Sequence, residues 1–163
     1  MLIAVDTNVL LDLVAEIDDV ADAIFVIRRR IRKCQMVIPP TAREELAQEA
    51  THGEVIDKLE NARRAFELAR SLNIRPVDLP EFQHDAARRI GRRIRDLELL
   101  PEAEVNDALI LAEAALLNCA ILLTSDAHLR GLDFTRLAFE LQACDAVAPI
   151  IATPREVVHK FFI

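Results

Sequence analysis

Apolar and polar positions along this chain switch between two periods, and the switches predict its elements. Leu2-Ile3-Ala4-Val5 is a short unbroken apolar run ending at Asp6, which predicts a strand covered on both faces. Helical spacing begins at once with Val9, Leu10 and Leu13. Val20, Ile24, Ile27 and Ile31 then share one helical face behind Asp18-Asp19, with Arg28, Arg29, Arg30, Arg32 and Lys33 loading the end where cations suit the helix dipole. Met36-Val37-Ile38 predicts a second strand, stopped by Pro39-Pro40. Thr41-Ala42-Arg43-Glu44 has the spacing of a capping box, with Thr41 as cap and Glu44 reaching back, and Thr51 to Glu54 has it again. The second box opens a long helix with the stripe Val55, Leu59, Ala62, Phe66 and Ala69. Ile74 to Val77 predicts a third strand, weakened by Pro76. Pro80-Glu81 starts a helix with Phe82, Ala86, Ile90 and Ile94 inward and Arg88, Arg89, Arg92, Arg93 and Arg95 outward. An apolar helix covers about Glu104 to Asn118, and the strand Ala120 to Thr124 runs almost directly into Asp126. Val147 to Ile151 predicts the last strand, and Thr153-Pro154-Arg155-Glu156 opens a final helix with cap, first-turn proline and box glutamate in place.

Strands alternating with helices predict an α/β fold: a three-layer α/β/α sandwich around a mainly parallel sheet with right-handed crossovers. A length of 163 residues predicts a single domain over 1–163, long enough to bury a sizeable core. A hydrophobic share of 52% argues against disorder. The net charge of −7 gives no global attraction to nucleic acid or anionic membrane, so any nucleic-acid contact has to use a local basic patch. Cys34, Cys119 and Cys144 are odd in number and widely spaced, without a metal-ligand or disulfide pattern. A reducing cytosol fits them, and a cytoplasmic location is expected. The N-terminus has no signal-peptide pattern, and no apolar run approaches a membrane span, so no membrane partner is expected.

Two strands end at aspartates, Asp6 and Asp126, on the side of a parallel sheet where ligand crevices form. Glu45 follows the second strand, just inside its helix, and Asp107 lies in the first turn of the helix leading to the Asp126 strand. Four carboxylates from four segments converge on one crevice; without a cation they would repel and some would take up protons. Oxygen-only acidic clusters suit hard cations such as Mg²⁺ or Mn²⁺, which lower the pKa of a bound water and stabilise charge on a phosphoryl group. The plain structural readings are helix caps for Asp6 and Asp126, a dipole partner for Asp107 and a solvated side chain for Glu45. Asp12 reads most simply as exposed in its helix.

The pieces Val5-Asp6-Thr7-Asn8-Val9-Leu10, Ile38-Pro39-Pro40 through Glu45-Leu46, Asn106-Asp107-Ala108-Leu109-Ile110 and Leu123-Thr124-Ser125-Asp126, in this order, resemble the PIN domain nucleases over nearly the whole chain. The resemblance implies a five-stranded parallel sheet and a Mg²⁺- or Mn²⁺-dependent ribonuclease whose acidic set is Asp6, Glu45, Asp107 and Asp126. It implies that Asp6, Asp107 and Asp126 bind metal directly or through water, that Glu45 completes the cluster or orients the attacking water, and that Asn8 and Thr124, with Ser125 behind them, are polar supports. It further implies an endonuclease that leaves a 5′-phosphate. RNA is the implied substrate; an antitoxin protein and a second copy of the chain are candidate partners, because many family members are toxins of toxin–antitoxin pairs while others process RNA.

Two features depart from the family pattern. Many relatives carry a further acidic residue two positions after the last one, where this chain has His128; Asp133 and Glu104 are the candidates to replace it. The stretch between Glu45 and Asp107 is longer than in many compact toxins, which bears on the toxin role more than on the fold. For RNA phosphates the candidates are Arg43, beside Glu45, and the face carrying Arg88, Arg92 and Arg95, with Arg28 to Lys33 a further basic run. Two other readings stay open: a catalytically idle PIN-like RNA- or protein-binding module, and a phosphatase of the haloacid dehalogenase type. The second would need an aspartate where Asn8 stands.

Overall fold

The computed structural model describes residues 1–52 and 56–161. Its sheet has five strands, β1 (Leu2–Val5), β2 (Gln35–Ile38), β3 (Arg75–Pro76), β4 (Cys119–Leu123) and β5 (Ile150–Ala152), all parallel, in the order β3-β2-β1-β4-β5. Ile3, Ala4 and Val5 are all fully buried; because successive side chains point to opposite faces, both faces of β1 are covered. The helices among the described residues are α1 (Thr7–Val14), α2 (Asp18–Arg30), α3 (Pro40–His52), α4 (Ile56–Ser71), α5 (Glu81–Asp96), α6 (Val105–Leu116), α7 (Ala127–Arg130), α8 (Phe134–Gln142) and α9 (Pro154–Phe161). Right-handed crossovers carry β1 to β2 to β3 toward one edge and β4 to β5 toward the other, so the two sets of helices lie on opposite faces. Accordingly α2 packs on α9, and α5 on α6 and α8. This is the expected α/β sandwich.

The chain leaves β1 and β4, which lie side by side, in opposite directions, and this reversal opens a crevice at their carboxyl ends. The ladder continues past the strands there: Asp6 N–H donates to Leu123 O at 3.0 Å and Thr124 N–H to Ala152 O at 3.1 Å. Gly91 brings α5 close to α6, since a Cβ at this position would lie 3.4 Å from the Ala108 backbone. With only three glycines in the chain, several helix ends use other residues in the left-handed conformation. Glu16, Asn73, Glu98 and Asp145 take it, each followed by a bond closing the last turn, such as Leu99 N–H to Ile94 O at 3.0 Å.

Several sequence expectations are corrected. Helix α3 starts at Pro40, and the first capping box does not form: the Thr41 N–H and hydroxyl donate to the Glu113 carboxylate at 2.9 and 2.7 Å, while Glu44 is exposed. Thr51 lies inside α3 and donates to Ala47 O at 2.8 Å; Gly53 and Glu54 of that second box, with Val55, lie outside the described residues. Phe82 is 76% exposed, and the buried face of α5 is Ala87, Ile90, Gly91 and Ile94. β3 is cut to two residues, at a proline that has no N–H to donate, and β5 begins only after Pro149. Helix α8 is an addition, capped by Asp133, whose side chain accepts from Arg136 N–H at 3.1 Å. The final box forms: Thr153 N–H donates to Glu156 Oε2 at 3.0 Å and Glu156 N–H to Thr153 Oγ1 at 3.2 Å. Among the described residues no helix is long and apolar enough to cross a membrane.

Candidate active site

Asp6 leaves β1 into α1 and is 2% exposed. Its Oδ1 accepts from Thr7 N–H at 2.6 Å and its Oδ2 from the Thr124 hydroxyl at 2.7 Å, so it caps α1 and also faces the crevice. Thr124, fully buried after β4, accepts from Asp126 N–H at 3.0 Å. Asn8 accepts from Ser125 N–H at 3.0 Å and donates to Thr124 Oγ1 at 3.5 Å, joining the first turn of α1 to the β4–α7 turn. Asp126 caps α7 with one oxygen, Oδ1, which accepts from His128 N–H at 2.7 Å and Leu129 N–H at 2.9 Å. Ser125 donates to Asp12 at 2.7 Å, so Asp12 is half-buried and bonded rather than simply exposed.

Glu45 enters from α3. One oxygen accepts from the Thr7 hydroxyl and the other from Asn106 Nδ2 at 2.7 Å. Asn106 and Thr7 thus orient Glu45, a job the sequence signals only by their placement beside Asp107 and Asp6. Glu113, 4% exposed on α6, holds the first turn of α3 through Thr41. The helix carrying Glu45 is thereby pinned to the helix carrying Asp107. Burial pushes the Glu113 carboxyl above its ordinary range, against the Thr41 donors, which lower it.

The charges of these groups act on one another. Burial pushes the Asp6 carboxyl up to about 6 against the lowering by Thr124 and Thr7, and the charges of Glu45 and Asp126 add to the rise. Asp107 is pushed up to about 7, first by burial, then by the charges of Asp126 and Asp6 and by the adjoining Glu104 carboxyl. Asp6, Glu45, Asp107 and Asp126 therefore meet at the carboxyl ends of β1 and β4. Of the two extra candidates, Glu104 joins them, beside Asp107 and 3.0 Å from His128 Nδ1, whereas Asp133 is occupied as the α8 cap. A cleft of about 380 Å³ there is lined by Asp6, Thr7, Glu45, Glu49, Asn106 and Asp107 among others, with Asp126 outside its lining, and by no basic residue among those described.

A hard divalent cation fits this donor set. Every charged donor is a carboxylate, and Asp107 accepts no hydrogen bond from protein donors among the described residues. Among those residues no three His, Cys, Asp or Glu side chains are preformed as a cation cage; both Glu45 oxygens and Asp126 Oδ1 accept from protein donors. The arginines proposed for RNA lie elsewhere. Arg43, two positions from Glu45 and so on another side of α3, pairs with Asp78 at 3.6 Å. Arg88 pairs with Asp85 at 2.5 Å, Arg95 donates to Glu102 O at 2.9 Å, and Arg92 is exposed.

A family model described as PIN domain matches residues 3–135. The chain is similar in structure to VapBC2 from Rickettsia felis, described bound to a DNA fragment from its promoter, with a TM-score of 0.65 and 16% identity over 94% of this chain and 98% of that one. It is also similar to VapBC-1 from nontypeable Haemophilus influenzae, with a TM-score of 0.61 and 15% identity over the same shares of the two chains. No curated protein matches it in sequence.

Proposed function

Since the chain belongs to the PIN domain family, we propose that it is a Mg²⁺- or Mn²⁺-dependent ribonuclease that hydrolyses RNA phosphodiester bonds with Asp6, Glu45, Asp107 and Asp126. The observation that carries this reading is that Asp6, Glu45 and Asp107 line one cleft, with the Asp126 charge close enough to act on Asp6 and Asp107, and that no cation among the described residues lines it. When bound, the ion supplies positive charge that neutralises the cluster and offsets the negative charge building on a phosphoryl group. Asp6, Asp107 and Asp126 would hold it, with Glu104 beside them. Thr124 and the Thr7 amide keep Asp6 aimed into the cleft, so little reorganisation accompanies the reaction. Glu45, fixed by Thr7 and Asn106, orients the water that attacks phosphorus. The bond to the 3′ oxygen breaks, leaving a 5′-phosphate.

The toxin role, with an antitoxin as protein partner, is supported by the fold likeness to VapBC2 and VapBC-1; RNA processing is the other role within the same chemistry. The test is cleavage of labelled single-stranded and structured RNAs with Mn²⁺, with EDTA, and by Asp6→Asn. Cleavage that needs the metal and is lost in the variant is expected. Intact RNAs across varied sequences, with metal still bound, would turn the reading to an idle binding module.

A further inference from the structure

A second cleft, of about 590 Å³, opens where β2 begins, at the end of the sheet away from Asp6. Arg28 from the last turns of α2, Lys33 from the link into β2, Gln35 from β2, Asn73 from the turn after α4 and Arg75 from β3 all line it. No carboxylate of the described residues does, in a chain whose net charge is −7. Arg28, Lys33 and Arg75 are exposed, and none of them belongs to an ion pair among the described residues. Arg75 Nε donates to Asn73 Oδ1 at 2.8 Å, which steadies the guanidinium and leaves its outer nitrogens without acceptors among the described residues.

Cations on the last turn of a helix are ordinary, because they suit its dipole. That accounts for Arg28 but not for Lys33 and Arg75, which arrive from other segments. Guanidinium forks, an ammonium and side-chain amides converging on a concave surface match the oxygens of phosphate groups. The space exceeds what one phosphate needs, and Arg70 continues the positive rim along the adjoining groove beside Asn73 and Arg75. A polyanionic chain suits this surface better than a single small anion. The acidic cleft itself repels such a chain, while Arg43, Arg88 and Arg93 are engaged by Asp78, Asp85 and Glu140. We propose that the cleft lined by Arg28, Lys33 and Arg75 holds the phosphate backbone of the RNA substrate, one strand length of ~13 Å or more from the acidic cleft. This rests on the ribonuclease reading above.

The test compares the full chain with Arg28→Gln/Arg75→Gln and Arg28→Glu/Arg75→Glu. Binding is read in EDTA by fluorescence anisotropy, on an RNA of about twenty nucleotides and on a dinucleotide, whose single step between phosphates is too short to reach both clefts. The double Gln variant should bind the long RNA about tenfold more weakly at low salt, and its slope of log affinity against log salt should flatten by about 1.4, roughly 0.7 for each lost phosphate contact. The Glu variant should lose more. With Mn²⁺, the variants should lose much more kcat/KM on the long RNA than on the short one. Should the Glu variant melt early, the Gln variant, which removes only exposed charge, carries the comparison. Long-RNA affinity and salt slope equal to the unsubstituted protein overturn this proposal alone. A protein that neither binds nor cuts RNA overturns the ribonuclease reading and this one with it.

Discussion

At the carboxyl ends of β1 and β4 the charged groups are carboxylates drawn from several segments, with Asp6 and Glu45 held by side-chain hydrogen bonds; at the start of β2 they are cations standing in solvent. The first cleft holds charge where burial makes it costly, so Asp6 and Asp107 retain protons far above the ordinary carboxylate range. The second holds charge in the open, where water screens it. On the proposed ribonuclease reading, the difference teaches how an acidic chain would act on an acidic polymer. Groups that must keep their geometry sit where the sheet fixes it, and groups that only attract sit one strand length away, where flexibility does no harm.

The strongest way to break the contrast is Asp6→Asn. Metal-dependent cleavage should fall at least ~10²-fold, as expected for several kcal/mol of lost transition-state stabilisation, while RNA binding in EDTA is retained or improved. Weakened RNA binding in that variant would show that the acidic cleft also carries affinity. Next comes Glu113→Ala. It leaves the buried Thr41 N–H and hydroxyl without their acceptor and should cost about 2–3 kcal/mol in denaturant unfolding, with reduced turnover because α3 no longer holds Glu45 against Asn106. Glu113→Gln, which keeps one acceptor, should recover most of both.

A smaller effect separates the clefts by pH. Asp6 and Asp107 have folded values near 6 and 7, above the ordinary 3.8, so the folded state binds more protons than the unfolded one. Their contribution to stability is full below about pH 4 and is lost as pH rises through about 6 and 7. Metal-free protein should therefore melt at a higher temperature at pH 5.5 than the acidic cleft allows at about pH 8, and added Mn²⁺ should raise the melting temperature at about pH 8 far more than near 5.5. A metal effect independent of pH would exclude these carboxylates as the ligands. The smallest effects sharpen the basic side: Arg88→Gln should change RNA affinity less than about twofold, because Asp85 already engages that guanidinium. Glu44→Ala should stay within about 0.5 kcal/mol of the unsubstituted protein, since no box holds Glu44.

What could be read from the sequence was what local pattern decides. β1 and β4 are short apolar runs that meet an aspartate, and buried strands in a parallel sheet look like that. Because both strands end on one edge, the convergence of Asp6 and Asp126 follows from topology. The readings that fail depend on distant partners. Thr41 and Glu44 have capping-box spacing, yet Thr41 is taken by Glu113, 72 positions away, and no local motif announces that. Phe82 has the spacing of an inward residue, but α5 turns Ala87, Ile90, Gly91 and Ile94 to the core. Helix α8 has a legible signal, the Asp133 cap followed by Leu137 and Leu141 one turn apart, that the strand-centred pattern passes over. The basic cleft is less legible still, because Arg28, Lys33 and Arg75 meet only when α2, β2 and β3 are in register.

The bond from the Asp6 amide to Leu123 O sets the order in which the site can come apart. The amide hydrogen of Asp6 is shielded from solvent deuterium for as long as β1 stays paired with β4, so its exchange reports opening of the central sheet. Amides near the start of α6, beside Asp107, can be released by fraying of one helix. Slow deuterium uptake at Asp6 with faster uptake around Asp107 would mean that the cleft loosens from the helical side while its deepest carboxylate stays at its post until the domain unfolds.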